Sequence, residues 1–251
     1  MTYTLRPRKK EQKIKIIQKG SIYFFYRPKI ENKENVQRFF FILKPEKQKK
    51  YHLLIVGKKH LPETKQHESY FLFVDKVNED KKVILESLEE KHYQTKTRGE
   101  RIQPVSHCLA EGKYLIVKHQ GHTHFCYQII NPTELKKEQE AFNLKKHDDY
   151  LISVKNPQQP SPAGIGLGIK QKAHFPLEIQ EKFASYRFIN LDNPQFLDYE
   201  GAEILLTTQP RQELTERYPE LQTCWKETSQ DYLVKEFEAI SPPEAMAPLK
   251  S

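Results

Sequence analysis

The chain has 251 residues and a mass of 29.8 kDa. Only 37% of it is hydrophobic and mean hydropathy is −0.77, yet 14 Phe, 13 Tyr and one Trp are too many for an unfolded chain, so a folded core under a charged surface is expected. The longest apolar runs, Ile22–Tyr26 and Phe39–Leu43, fall far short of the roughly 18 residues a membrane-spanning helix needs, and the net charge of +8 is uneven, with 17 Lys or Arg against four acids in residues 1–60.

Residues 1–18 are basic and carry no apolar signal core. Cys108, Cys126 and Cys224 are odd in number and match no metal-binding spacing. Together these features point to a reducing, cytoplasmic setting.

Residues 19–95 are expected to form a first lobe. Ser21–Tyr26 reads as a strand buried on both faces and stopped by Pro28; Phe39–Lys44 repeats the pattern up to Pro45. Tyr51–Val56 and Tyr70–Val74 continue the meander, and Val83, Ile84, Leu85 and Leu88 predict a short helix to about Lys91. Residues 96–156 are expected to form a second lobe. Its centre is a hairpin of Lys113–Lys118 and Thr123–Ile130, followed by a Lys/Glu-rich helix from Asn131 to about Leu144 and a strand at Tyr150–Val154.

Residues 157–175 read as a Pro/Gly-rich linker or loop. Residues 176–208 supply a helix at Pro176–Tyr186 and a strand at Ala202–Thr207, expected to pack back on the lobes. Residues 209–251 form an acidic, partly disordered extension with one helix around Leu221–Phe237. The resulting expectation is an α+β fold, a mainly antiparallel sheet built from two strand meanders with short intervening helices. The order of elements in the two lobes suggests an internal duplication, which no residue-level repeat supports.

The stretches Ile22–Pro28 (IYFFYRP), Thr97–Arg101 (TRGER) and Val154–Pro157 (VKNP) resemble segments of bacterial cytosolic proteins of similar length, over residues 20–208. The resemblance implies a bacterial cytosolic origin and brings no activity or site with it.

Basic residues supply one candidate site. Arg27, Lys44 and Lys155 each end a strand shortly before a proline, beside Tyr26, Phe40 or Tyr150. With Arg38, Lys58, Arg98, Arg101 and Lys118 they form a candidate polyanion-contacting set, since nucleic acid needs cations for its backbone and rings for its bases. The same residues would also serve as strand stops and edge guards. Arg98-Gly99-Glu100-Arg101 is either an anion clamp around a tight turn or a turn held by its own Arg–Glu pair.

A second candidate lies at His119-Gln120-Gly121-His122-Thr123-His124. If Gln120-Gly121 is the loop, all three imidazoles share one face; if Gly121-His122 is the loop, two do. Histidines so placed are the ligand type of a divalent metal site. Gly164-x-Gly166-x-Gly168 lacks the spacing of a phosphate-cradling loop, and Asp198, Glu200 and Glu203 form a compact acidic group before a strand. The leading expectation is a binding or accessory protein whose basic N-terminal half contacts RNA, DNA or an acidic protein. The alternative is a histidine- or metal-dependent hydrolase or phosphoester-acting enzyme centred on residues 119–124.

Overall fold

The computed structural model describes residues 14–29, 35–63, 66–95, 99–161, 166–209 and 219–228. The first four strands, β1 (Lys15–Pro28), β2 (Val36–Pro45), β3 (Tyr51–Val56) and β4 (Ser69–Asn78), form an antiparallel meander. A short helix α1 (Lys81–Leu85) follows, then the strands β5 (Lys91–Thr95) and β6 (Gly99–Gln103). The chain continues through β7 (His107–His119), β8 (His122–Asn131), the one-turn helix α2 (Lys137–Glu140) and β9 (His147–Lys155). It ends with α3 (Leu177–Gln180), β10 (Phe188–Asn190), β11 (Glu203–Thr207) and α4 (Pro219–Glu227).

Eight of these strands close on themselves in the order β1-β2-β3-β4-β11-β9-β8-β7 and back to β1, every neighbour antiparallel. The short β10 pairs with the end of β9 beyond the stretch that β8 occupies. Closure removes the unpaired edges that an open sheet would present.

Side chains alternate across the wall with period two. Ile22, Phe24 and Tyr26 of β1 point into the barrel, where Phe24 meets Phe39, Phe41 and Tyr127 with ring centroids 5.2–6.3 Å apart. Tyr23 and Phe25 point outward, yet are buried with Phe40, Ile42 and Leu53 beneath Ile84, Leu85 and Leu88. That outer cover explains why the β1 sequence is continuously apolar. A second outer cluster places Leu221 and Trp225 of α4 on Leu115, Val117 and Cys126 of β7 and β8. Phe142 packs on Tyr26 and Phe39 at one end of the interior.

The expected two-meander α+β fold is therefore corrected to one closed antiparallel barrel, mostly β. Strands from both stretches read as lobes belong to a single sheet, and β11 joins them by inserting between β4 and β9. The helices are shorter than expected. Residues 131–144 form only one helical turn, because Phe142 and Leu144 both enter the core while the Gln139 amide donates to the Leu109 carbonyl at 2.8 Å. Residues 176–186 likewise form one α turn and one 3-10 turn around the buried Ile179 and Phe183. The C-terminal helix is described to Glu227; the rest of the expected Leu221–Phe237 helix and the tail lie outside the described residues, as does most of the basic 1–18 segment. Among the described residues no helix is long and apolar enough to cross a membrane.

Candidate nucleic-acid interface

Strands β5 and β6 form a separate two-stranded ribbon, outside the barrel sheet. Its register pairs Lys91 with Gln103, His92 with Ile102, Tyr93 with Arg101 and Gln94 with Glu100. Period-two alternation therefore sorts the side chains onto two unlike faces. Lys91, Tyr93, Arg101 and Gln103 share one face, and the Tyr93 ring, 49% exposed, lies cross-strand from the Arg101 guanidinium. His92, Gln94, Glu100 and Ile102 share the other.

The acids are held on that second face. His92 Nε2 lies 3.0 Å from Glu90 and its Nδ1 3.5 Å from Glu100. Hydrogen bonding to Glu90 and then Glu100 raises the His92 pKa above its ordinary value. The Glu90 and Glu100 carboxylates thus engage the His92 ring, on the face opposite Lys91 and Arg101.

Arg27 ties the ribbon to the barrel. Its guanidinium donates to the Ser87 carbonyl at 2.7 Å, and the Gln103 amide oxygen, turned toward it, accepts from both terminal nitrogens at 2.9 and 3.1 Å. It also lies 5.9 Å over the Phe40 ring. Burial, followed by repulsion from Arg38, lowers its pKa to about 10, so it keeps its charge at neutral pH. Arg27 is thus a structural bracket. Arg38, its cross-strand partner, is exposed on the same wall. On the ribbon Lys91 and Arg101 stand beside Tyr93, while Arg38 is exposed on the barrel wall next to Arg27.

The other basic residues singled out in the sequence lie elsewhere. Lys44 is half-buried over the Tyr51 ring at 5.6 Å, with its pKa lowered by burial and by Lys81. Lys58 is exposed on the segment after β3. Lys118 is paired with Asp192, which also accepts from the Thr123 hydroxyl. Lys155 is buried, donating to Glu203 at 3.1 Å and to the Gln159 carbonyl at 2.9 Å; burial, ahead of the Glu203 contact, lowers its pKa. Arg98 lies outside the described residues.

The histidines occupy the β7–β8 hairpin. Gln120 and Gly121 both adopt positive φ, 48° and 81°, as a two-residue hairpin loop requires. His119 therefore faces His122, and His124 follows on the same outward face. His119 and His124 are buried with ring centroids 6.2 Å apart, His124 Nδ1 lies 3.3 Å from Asp149, and His122 is exposed. Among the described residues, no three or more His, Cys, Asp or Glu are grouped so as to hold a metal ion.

Sequence reasoning missed Tyr93, Lys91 and Gln103. The ribbon is polar on both sides, so the apolar alternation that marks a strand is absent; the Arg98-Gly99 turn was the one available signal. It also missed the carboxylates Asp149 and Asp192, which reach the hairpin from β9 and from the segment after β10.

Comparison of the chain with protein-family models, with curated proteins and with solved structures gave no match.

Proposed function

We propose that this protein binds nucleic acid through the β5–β6 ribbon and the adjoining barrel wall. The observation that carries this reading is the sorted ribbon: Tyr93 and Arg101 paired on one face beside Lys91, with the acids bound to His92 on the other. Cations beside an exposed ring match the chemistry of a phosphate backbone carrying bases. This reading narrows the basic surface from the whole N-terminal half to Arg38, Lys91 and Arg101. Lys155 and Arg27 are consumed within the fold, and Lys118 is paired with Asp192.

Fluorescence polarisation with labelled single-stranded and duplex DNA and RNA tests it. About three phosphate contacts predict a log–log salt slope of about −2 to −3, hence roughly 15- to 40-fold weaker binding between about 50 and 200 mM salt. Arg101→Ala is expected to weaken binding and to make the slope shallower by about one contact. Absence of binding to every form at the lower salt, or an Arg101→Ala variant with unchanged affinity and slope, overturns the reading.

A further inference from the structure

The geometry points to a single-stranded segment as the ligand, with one base stacked on Tyr93 and its backbone running along Lys91 and Arg101. This rests on the nucleic-acid reading above and specifies which form the ribbon takes.

Three features of the ribbon favour a single strand over a duplex. The first is the ring. Tyr93 is half-exposed and stands cross-strand from a guanidinium, a pairing that presents a flat surface with a cation beside it. A flat surface binds the face of a base, and in a duplex interior those faces are already covered by neighbouring bases.

The second is the lack of a free amide on the same face. Bidentate reading of adenine in a duplex groove uses an Asn or Gln amide. Gln103 is the amide on this face, and its oxygen is taken by the Arg27 guanidinium. Gln94 lies on the opposite face with Glu100. What remains is charge and a ring, the combination that tolerates sequence and holds an unpaired strand.

The third is the position of the acids. A ribbon seated deep in a groove has a phosphate backbone on either side, and the Glu90 and Glu100 carboxylates on the far face would approach those phosphates. A single strand laid across the Lys91–Tyr93–Arg101 face meets two cations and the ring, with the ribbon's Glu100 on the opposite side. Arg38 is exposed on the barrel wall, cross-strand from the Arg27 that holds the ribbon, and adds a cation on that side.

The experiment compares a single strand of about twelve nucleotides with the blunt duplex of the same sequence, by polarisation competition against the full chain. A 2-aminopurine in the strand reports stacking. The single strand is expected to compete at least tenfold better. Tyr93→Ala is expected to weaken single-strand binding about tenfold and abolish the 2-aminopurine quench, with Tyr93→Phe retaining both. Because Tyr93 is exposed, folding of each variant is confirmed from the emission of the sole tryptophan, Trp225. Equal or tighter duplex binding, or single-strand affinity unchanged in Tyr93→Ala, overturns this inference and leaves the nucleic-acid reading standing. Failure of both forms to bind overturns that reading and this inference with it.

Discussion

Lys155 and Glu203 place a cation and an anion where neither reaches water. Their pairing joins β9 to β11, and the second Glu203 oxygen accepts the Leu167 N–H at 2.9 Å, fastening the loop that follows β9. Removing one partner leaves the other buried and uncompensated. Lys155→Ala is therefore expected to cost about 3–5 kcal/mol, read as a lowered urea midpoint. The joint replacement Lys155→Met with Glu203→Leu is expected to lose less than either single change, leaving chiefly the Leu167 N–H unsatisfied.

Asp198 gives the fold a sensitivity to acid. Burial alone would raise its pKa, but hydrogen bonds from His52 at 2.7 Å and Lys50 at 3.0 Å outweigh that and hold it below the ordinary carboxylate value. A depressed folded pKa means the contribution is complete above the unfolded value, about 3.9, and is lost as pH falls through the folded one. Asp198→Asn is expected to lower stability at pH 7 and to narrow the gap to wild type below about pH 4, measured by urea unfolding at both ends. Asp148 has the opposite sign. Burial, ahead of the opposing Lys145 and Tyr150 contacts, raises its pKa, so its contribution falls as pH rises from the unfolded value through the folded one. None of these roles could be read from the sequence. Arg27 and Lys155 look like exposed strand ends there, and only tertiary packing buries them.

At the scale of elements, α4 is a nine-residue helix held to the barrel by one apolar patch and two lysines. Lys113 and Lys19 donate to the Trp225 and Glu227 carbonyls in its last turn, at 3.0 and 3.5 Å, where the helix dipole favours cations. So short a helix has little stability alone and depends on Leu221 and Trp225. Leu221→Ala is expected to release it. The emission of Trp225 should shift to the red at a denaturant concentration that leaves the barrel's far-UV circular dichroism unchanged; simultaneous loss of both signals would show that α4 and the barrel unfold as one unit.

The sequence was most readable where contacts are local. The β1–β4 meander follows from Pro28 and Pro45 bounding aromatic runs, and Gln120-Gly121 has the composition of a hairpin loop. It was least readable in two kinds of place. The β5–β6 ribbon buries neither face, so it carries no hydrophobic period. Residues 131–144 have high helix propensity from their Lys and Glu content, but the need to seat Phe142 and Leu144 in the barrel end overrides it.

For the whole molecule the deciding feature is closure, and it depends on pairings between residues distant in sequence. Ile204 pairs with Leu72 on one side and with Val154 on the other. No local pattern announces such an insertion, which is why residues 202–207 read as a strand but not as the one that completes the ring. Ending the chain before Glu203 is expected to abolish cooperative thermal unfolding and to produce high-mass species by size-exclusion chromatography, because β4 and β9 would then offer bare edges. A monomeric, cooperatively melting product would show that seven strands suffice.

Position in the chain gives β11 a temporal role as well. Translation delivers the other seven barrel strands first, and the ring stays open until residues 203–207 have left the ribosome. Throughout that interval the nascent protein carries two strands, β4 and β9, each with an unpaired backbone edge, an invitation to pairing with neighbouring chains. The hazard is set by elongation speed and by what shelters the nascent chain, and it ends when the last strand arrives.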